Sequence, residues 1–237
     1  MIERKCPHCA TRLRLPAARQ GVVACPACGT RFLADTRTAS DPVDEAPPRG
    51  TERPDVRQGS REWLAVRQDL AMASETPAVL GVSPYQSPAK LRAAKRGEAG
   101  FVSAAMRKGT EEEPRARAAY VKAWRKMHPA FLVSGRFGCS LDGLSDCGGE
   151  ILEIKTPYRG RAHERWALAA EGRTTAYDAA QIQHQLMVSR ARVAYLWVWD
   201  AQSREGLRVE VLPDPEFWSD IRAAWRAFWP SLGRAAE

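Results

Sequence analysis

The chain has 237 residues and a net charge of +8, with a sequence pI near 9.4. That length is enough for one sizeable domain with a real hydrophobic core plus a small module. It holds no apolar run of about 18 residues or more, which excludes a membrane-spanning helix, and MIERKCPHCA lacks the apolar segment of a secretory signal. A cytoplasmic setting is the expectation, and six cysteines there point to metal or free thiols and not to disulfides. The positive balance suits a polyanionic partner such as nucleic acid, or serves as solubility charge.

Residues 1–34 carry two knuckles, CPHC and CPAC, which place Cys6, Cys9, Cys25 and Cys28 as two CxxC pairs. Each CxxC turn aims two sulfurs at one point, and two such turns complete a tetrahedral Zn²⁺ site. His8 lies inside the first knuckle as a bystander. A module this short has too little core to fold alone, so the metal supplies its folding energy. Arg12, Arg14, Arg19 and Arg31 offer a nucleic-acid contact or an ordinary solvated face. Residues 35–58, rich in Pro, Asp and Arg and poor in large apolar groups, read as a disordered linker.

From residue 59 to 237 the pattern is globular. REWLAVRQDLAMA shows helical spacing of Trp63, Val66 and Leu70. Ser74 is expected to cap a short helix that stops at Gly81, and Ser87 with Pro88 caps another that ends at Gly97. A longer helix is predicted over 101–127, bent or broken at Gly109 and Pro114. Extended segments at 130–136, 138–144 and 149–155 follow, with a Gly148-Gly149 turn between the last two. TTAYDAAQIQHQLMVSR reads as a helix with Ile182, Leu186 and Met187 or Ser189 inward, and VAYLWVWD and LRVEVL read as strands. DPEFWSDIRAAWRAFW closes the fold as an amphipathic helix with Trp218, Ile221, Trp225 and Phe228 on one stripe. Helices flanking a short mixed sheet make an α/β (α+β) domain.

One strand carries chemistry. In ILEIKTP, side-chain alternation puts Glu153 and Lys155 on one face and Leu152 and Ile154 on the other. Asp142 lies on the preceding strand, where a hairpin near Gly148 brings it opposite Glu153 or close to it. Converging carboxylates repel unless a cation lies between them, and hard oxygen ligands suit Mg²⁺ or Mn²⁺. With a lysine beside the metal to position water, the set can attack a phosphodiester. A cross-face ion pair is the plainer alternative for E-x-K alone.

From about residue 60 to 200 the chain resembles the lambda-exonuclease and YqaJ-like viral recombinase group within the PD-(D/E)xK nuclease superfamily. Five motifs in family order carry the likeness: EWLAVRQDLAMASETPAVLGVSPYQSP, GTEEEPRARAAY, CSLDGL, LEIKTP and AAQIQHQLMVS. The resemblance implies a restriction-endonuclease-like core. It implies that Asp142, Glu153 and the Ile154 carbonyl hold Mg²⁺ (or Mn²⁺), that Lys155 orients or deprotonates the water, and that Glu113 completes the site, with Glu111 and Glu112 adjoining. Gln181 matches the first glutamine of the family's Q-x-Q helix, with Gln183 as second choice.

Arg67, Ser74 and Ser140 match positions that bind a terminal 5′-phosphate. An arginine fork with hydroxyl donors is a good dianion receptor. The implied protein degrades duplex DNA ends 5′→3′ in a bacterial host, leaves 3′ single strands for an annealing protein and forms a homo-oligomer, with a trimeric ring as the expected form. The alternatives are an endonuclease of the same superfamily or a non-catalytic zinc-ribbon adaptor. Departures from the pattern are Leu141 in place of proline and the N-terminal ribbon. Cys139 and Cys147 flank Asp142 as small buried thiols, or as iron–sulfur ligands. Trp218, Trp225 and Trp229 are read as core or subunit contact, or as base-stacking residues.

Overall fold

The computed structural model describes residues 2–5, 11–15, 20–27, 31–35, 49–56, 58–98 and 104–233. Two antiparallel hairpins come first: β1 (Ile2–Lys5) with β2 (Arg12–Leu15), and β3 (Gln20–Ala24) with β4 (Arg31–Asp35). In sequence, each CxxC pair falls between the two strands of one hairpin. Cys25 is buried, while Cys6, His8, Cys9, Arg19 and Cys28 lie outside the described residues, as do the side chains of Arg14 and Arg31.

The stretch expected to be a linker reaches the sheet before residue 58. β5 (Thr51–Glu52) pairs antiparallel with β7 (His128–Ser134), Gly50 donates its N–H to the Val188 carbonyl at 2.8 Å, and Val56 is buried. A short stretch poor in apolar residues orders here because an existing sheet edge supplies its backbone partners.

The remaining elements are α1 (Arg61–Asp69), β6 (Ala71–Met72), a 3₁₀ turn (Ala73–Glu75), α2 (Thr76–Val79), α3 (Pro88–Lys95), α4 (Ala104–Ala123), β7, β8 (Phe137–Leu144), β9 (Glu150–Lys155), α5 (Glu164–Ala170), α6 (Ala176–Ser189), β10 (Val193–Asp200), β11 (Glu205–Val211) and α7 (Pro215–Phe228). The seven-stranded mixed sheet runs β11-β10-β9-β8-β7-β5, with β6 added beside β8. α6 covers one face over Leu141, Ile151 and Leu196, and α2 and α7, with Trp225 buried, pack against α6. α4 covers the other through Ala116 and Tyr120, against Leu152, Ile154, Trp197 and Trp199.

Local signals explain most boundaries. Ser60 caps α1 by accepting the Trp63 N–H at 3.1 Å, and Ser87 caps α3 by accepting that of Lys90 at 3.3 Å. Ser74 is not a cap: it lies in the 3₁₀ turn, and its hydroxyl accepts from Arg67. α4 runs unbroken through Gly109 and Pro114. An interior proline costs roughly 3 kcal/mol, and the complete burial of Ala116 and Tyr120 against the sheet offsets it. Trp218, Trp225 and Trp229 are buried, which leaves no face for stacking bases. Cys139 is buried but Cys147 is exposed, which corrects the reading of that thiol as interior.

β8 has an unusual edge. Its Phe137 end pairs with β6 and its Leu144 end with β9, where the ladder holds only Gly143↔Leu152 and Leu144↔Ile151. Residues 139–142 have no strand partner on that edge. A Cβ on Gly143 would lie 2.9 Å from Met127 Cβ and 3.0 Å from Leu152 Cβ, so only glycine lets the two strands close there before they part.

Candidate active site

The open edge of β8 is where the charged residues meet. Extending the β8–β9 register by one position sets Asp142 opposite Glu153. The ladder ends there because a side chain replaces it: Asp142 Oδ2 accepts the Ile154 N–H at 2.7 Å. The two carbonyls left without strand partners are satisfied from the helices. Arg117 Nε of α4 donates to the Asp142 carbonyl at 2.7 Å, and Gln185 Nε2 of α6 donates to the Ser140 carbonyl at 3.1 Å.

Glu153 is 4% exposed and every oxygen of its carboxylate is engaged. Oε1 lies 2.6 Å from Lys155 Nζ and accepts from Gln181 Nε2 at 2.7 Å; Oε2 accepts from Gln185 Nε2 at 2.6 Å. Lys155 in turn donates to Gln181 Oε1 at 2.9 Å. One amide thus holds the acid and the base of the E-x-K pair together. On α4, Glu113 pairs with Arg117. Glu112 turns away to Arg115, and Glu111 is exposed. Glu113 is therefore the acidic helix residue that stands near the strand carboxylates.

The electrostatics follow from crowding. Burial pushes the Asp142 carboxyl well up, and the charges of Glu153 and Glu113 add to it. Glu113 is raised by burial and by Glu153 against the pull of Arg117 and Lys155. Burial disfavours the Lys155 ammonium, yet Glu153 and Asp178 outweigh it and hold its pKa above the ordinary lysine value. Such mutual repulsion among acids is what a divalent cation relieves, and carboxylate oxygens are the donors Mg²⁺ and Mn²⁺ prefer. The donor set fits. The described side chains, however, hold no group of three His, Cys, Asp or Glu at ligand spacing, because each acid is turned onto a protein partner. Among the described residues, Cys139, buried, and Cys147, exposed, belong to no such group either.

Arg67, Ser74 and Ser140 come together. Arg67 Nη2 donates to Ser74 Oγ at 3.2 Å, and its guanidinium lies 4.2 Å from the Trp63 ring centroid. Trp63 Nε1 donates to Ser140 Oγ at 3.0 Å. Glu75 sits beside them, 3.3 Å from Arg67 Nη2, with its other oxygen 2.6 Å from the buried Lys95 ammonium. Lys95 balances that acid, so the Arg67 fork keeps its positive field.

Gln183 does not join the site. Its amide donates to the Leu212 carbonyl at 2.8 Å and accepts from the Asp214 N–H and Trp218 Nε1 at 2.9 and 3.0 Å, which ties α6 to the start of α7. Residues two apart on a helix point to different sides, whereas positions four apart share one. The partner of Gln181 is therefore Gln185. Sequence reasoning missed Gln185, Arg117 and Trp63, though helical spacing alone pairs 181 with 185.

The solved structures most informative here share this fold. The alkaline exonuclease LHK-Exo of Laribacter hongkongensis superposes with a TM-score of 0.58 at 23% identity, over 73% of this chain and 93% of that one. Its complex with dAMP gives 0.59 at 24% over the same shares. A phage-related exonuclease from Haemophilus somnus 129PT gives 0.50 at 14%, over 67% and 93%. No curated protein sequence matches the chain. The fold is thus that of phage-type exonucleases, and residues 62–192 match the YqaJ-like viral recombinase domain. The chain belongs to that family.

Proposed function

We propose that the protein is a Mg²⁺-dependent 5′→3′ exonuclease of duplex DNA ends, acting in phage-type recombination to leave 3′ single strands for an annealing protein. The observation that carries this reading is the placing of Asp142 opposite Glu153, beside the Lys155–Gln181 pair, at the point where β8 and β9 part, with the Glu113 charge acting on Asp142 from α4.

Asp142 and Glu153, with the Ile154 carbonyl, would hold the divalent ion, which supplies Lewis-acid activation of phosphate and water when bound. The protein's own groups do the rest. Gln181 fixes the Lys155 ammonium against Glu153, where it can orient a water and exchange a proton with it. Gln185 and Arg117 hold the parted strands in place. Arg67, stacked on Trp63 and joined by the Ser74 and Ser140 hydroxyls, receives a terminal 5′-phosphate.

Water adds to phosphorus and the bond from phosphorus to the 3′ oxygen breaks. A 5′-mononucleotide leaves, and the shortened strand again ends in a 5′-phosphate, the ligand the Arg67 pocket takes. That a related exonuclease was crystallised with dAMP, a product of this kind, supports the reading. A ring of subunits would keep the enzyme on its DNA. The two CxxC hairpins support a Zn²⁺-bound N-terminal ribbon. Among the described residues, no helix is long and apolar enough to cross a membrane.

The test uses the full chain with Mg²⁺ and three substrates: a linear duplex with 5′-phosphate, one with 5′-hydroxyl, and a closed circle. Loss of the phosphorylated linear duplex from its 5′ ends, with the circle intact, is expected. Cutting of the circle would give the endonuclease reading, and binding without turnover the adaptor reading.

A further inference from the structure

A second cluster lies one helical turn from the catalytic glutamine. Asp178 precedes Gln181 by three positions on α6, so the two share a face. Asp178 is 1% exposed and accepts from Arg165 Nε at 2.7 Å and Nη2 at 3.0 Å, and from the Thr175 hydroxyl at 2.8 Å. Arg165 occupies the first turn of α5, where the helix dipole disfavours a cation; Asp178 is what stabilises it there. The hydrogen bonds of the guanidinium go to Asp178 through Nε and Nη2, which leaves Nη1 without a partner among the described residues.

Two tyrosines flank the guanidinium, with ring centroids 4.7 Å (Tyr177) and 5.9 Å (Tyr85) away. Tyr177 is anchored by its hydroxyl to Glu164 at 2.7 Å. Tyr85 meets Tyr177 edge-on at 5.6 Å, yet is 62% exposed. An aromatic ring held at a fixed angle yet mostly exposed contributes little to a core and much to a stacking platform. Asp178 shares its face of α6 with Gln181, whose Oε1 accepts from Lys155 Nζ at 2.9 Å, so the cluster lies one helical turn along from the catalytic lysine.

α6 gives these contacts an order. Gln185 touches Ser140, whose hydroxyl leads through Trp63 to Arg67; Gln181 touches Lys155 and Glu153; Asp178 holds Arg165. Successive steps of about one turn, roughly 5.4 Å, are of the order of one nucleotide. We infer that the substrate strand runs along α6 from the Arg67 pocket past Lys155 to a subsite where Arg165 Nη1 binds the phosphate on the 3′ side of the scissile one and Tyr85 stacks on a base. This rests on the nuclease reading and names how its site holds the uncleaved part of the strand being degraded.

The experiment is a substrate–protein cycle under single-turnover conditions. The substrate is a 5′-phosphorylated duplex carrying one neutral methylphosphonate between its second and third nucleotides. The native chain should cleave it about tenfold or more slowly than the unmodified duplex, the effect of losing one charge-assisted contact. Arg165→Gln should cleave the unmodified duplex as slowly and lose nothing further on the methylphosphonate, and Arg165→Lys should fall between. Multiplying losses would overturn the assignment. Tyr85→Leu, at an exposed position, gives the independent cycle against an abasic site at the second or third nucleotide. It should show the same saturation, and multiplying losses there would overturn the stacking role even if Arg165→Gln failed to fold. Failure of the native chain to cleave the unmodified duplex would remove the nuclease reading and the subsite with it; cleavage with multiplying losses would remove the subsite alone.

Discussion

Gln185 Nε2 lies 2.6 Å from Glu153 Oε2 and 3.1 Å from the Ser140 carbonyl. One amide nitrogen thereby joins the E-x-K strand to the strand residue whose hydroxyl completes the Arg67 cluster. Removing it strips a buried carboxylate oxygen and a partnerless strand carbonyl of their donor together. Gln185→Leu should cost about 1–3 kcal/mol of stability, read by urea unfolding. It should also slow turnover on phosphorylated and hydroxyl-ended duplexes alike, since it moves Glu153.

Lys155→Ala and Gln181→Ala are expected to separate binding from chemistry. Lys155 lies against Glu153 and Gln181 in the interior of the site, and removing a group that handles a proton typically costs about 10²–10⁴-fold in rate. DNA affinity, measured by anisotropy, should change little for Lys155→Ala. Gln181→Ala should show a smaller loss, because the Lys155–Glu153 pair survives without it. Unchanged turnover in Lys155→Ala would remove that residue from the mechanism.

Arg67→Ala addresses end recognition. A charge-assisted hydrogen bond contributes about 1.5–3 kcal/mol, so the preference for 5′-phosphate over 5′-hydroxyl should shrink by about ten- to a hundredfold. Cleavage of the hydroxyl-ended duplex should remain close to native. An unchanged preference would discard the receptor.

His184 provides a pH prediction that does not involve DNA. It is fully buried on α6, with Nδ1 2.6 Å from Thr76 Oγ1, and burial pushes its pKa down to about 3. The unfolded chain takes up this proton near pH 6.5, whereas the folded chain takes it up only near 3, so the unfolded state binds more protons in between. Stability is therefore lost as pH falls through that window, by up to about 1.4 kcal/mol per pH unit. Carboxyls such as Asp142, raised in the fold, push the other way. The informative quantity is thus the difference between native and His184→Gln chains, which should shrink steadily from pH 6.5 downward.

Much of the site could be read from the sequence because it rests on local rules. Strand alternation gave the shared face of Glu153 and Lys155, and a glycine turn set the hairpin that brings Asp142 opposite. Other features depend on tertiary packing and leave weak local traces. Pro114 looks like a helix break, yet the burial of Ala116 and Tyr120 carries α4 through it. Thr51 and Glu52 look like linker until β7 offers an edge. Ser74 has the chemistry of a cap but meets a guanidinium first. Gln183 entered as a site residue through a sequence pattern, where the 3.6-residue period alone points to Gln185. Arg117 lies within the GTEEEPRARAAY motif, but its partner, a carbonyl left without a strand partner only because β8 and β9 part early, is set by tertiary structure.

The central claim is that Asp142 and Glu153 share one divalent ion, and Mn²⁺ binding to the full chain tests it most directly by calorimetry or electron paramagnetic resonance. The account predicts an Mn²⁺ site in the native protein that Mg²⁺ competes for and that Asp142→Asn and Glu153→Gln each abolish, with the folded state retained. Mn²⁺ binding that survives both substitutions, or none in the native chain, would contradict it.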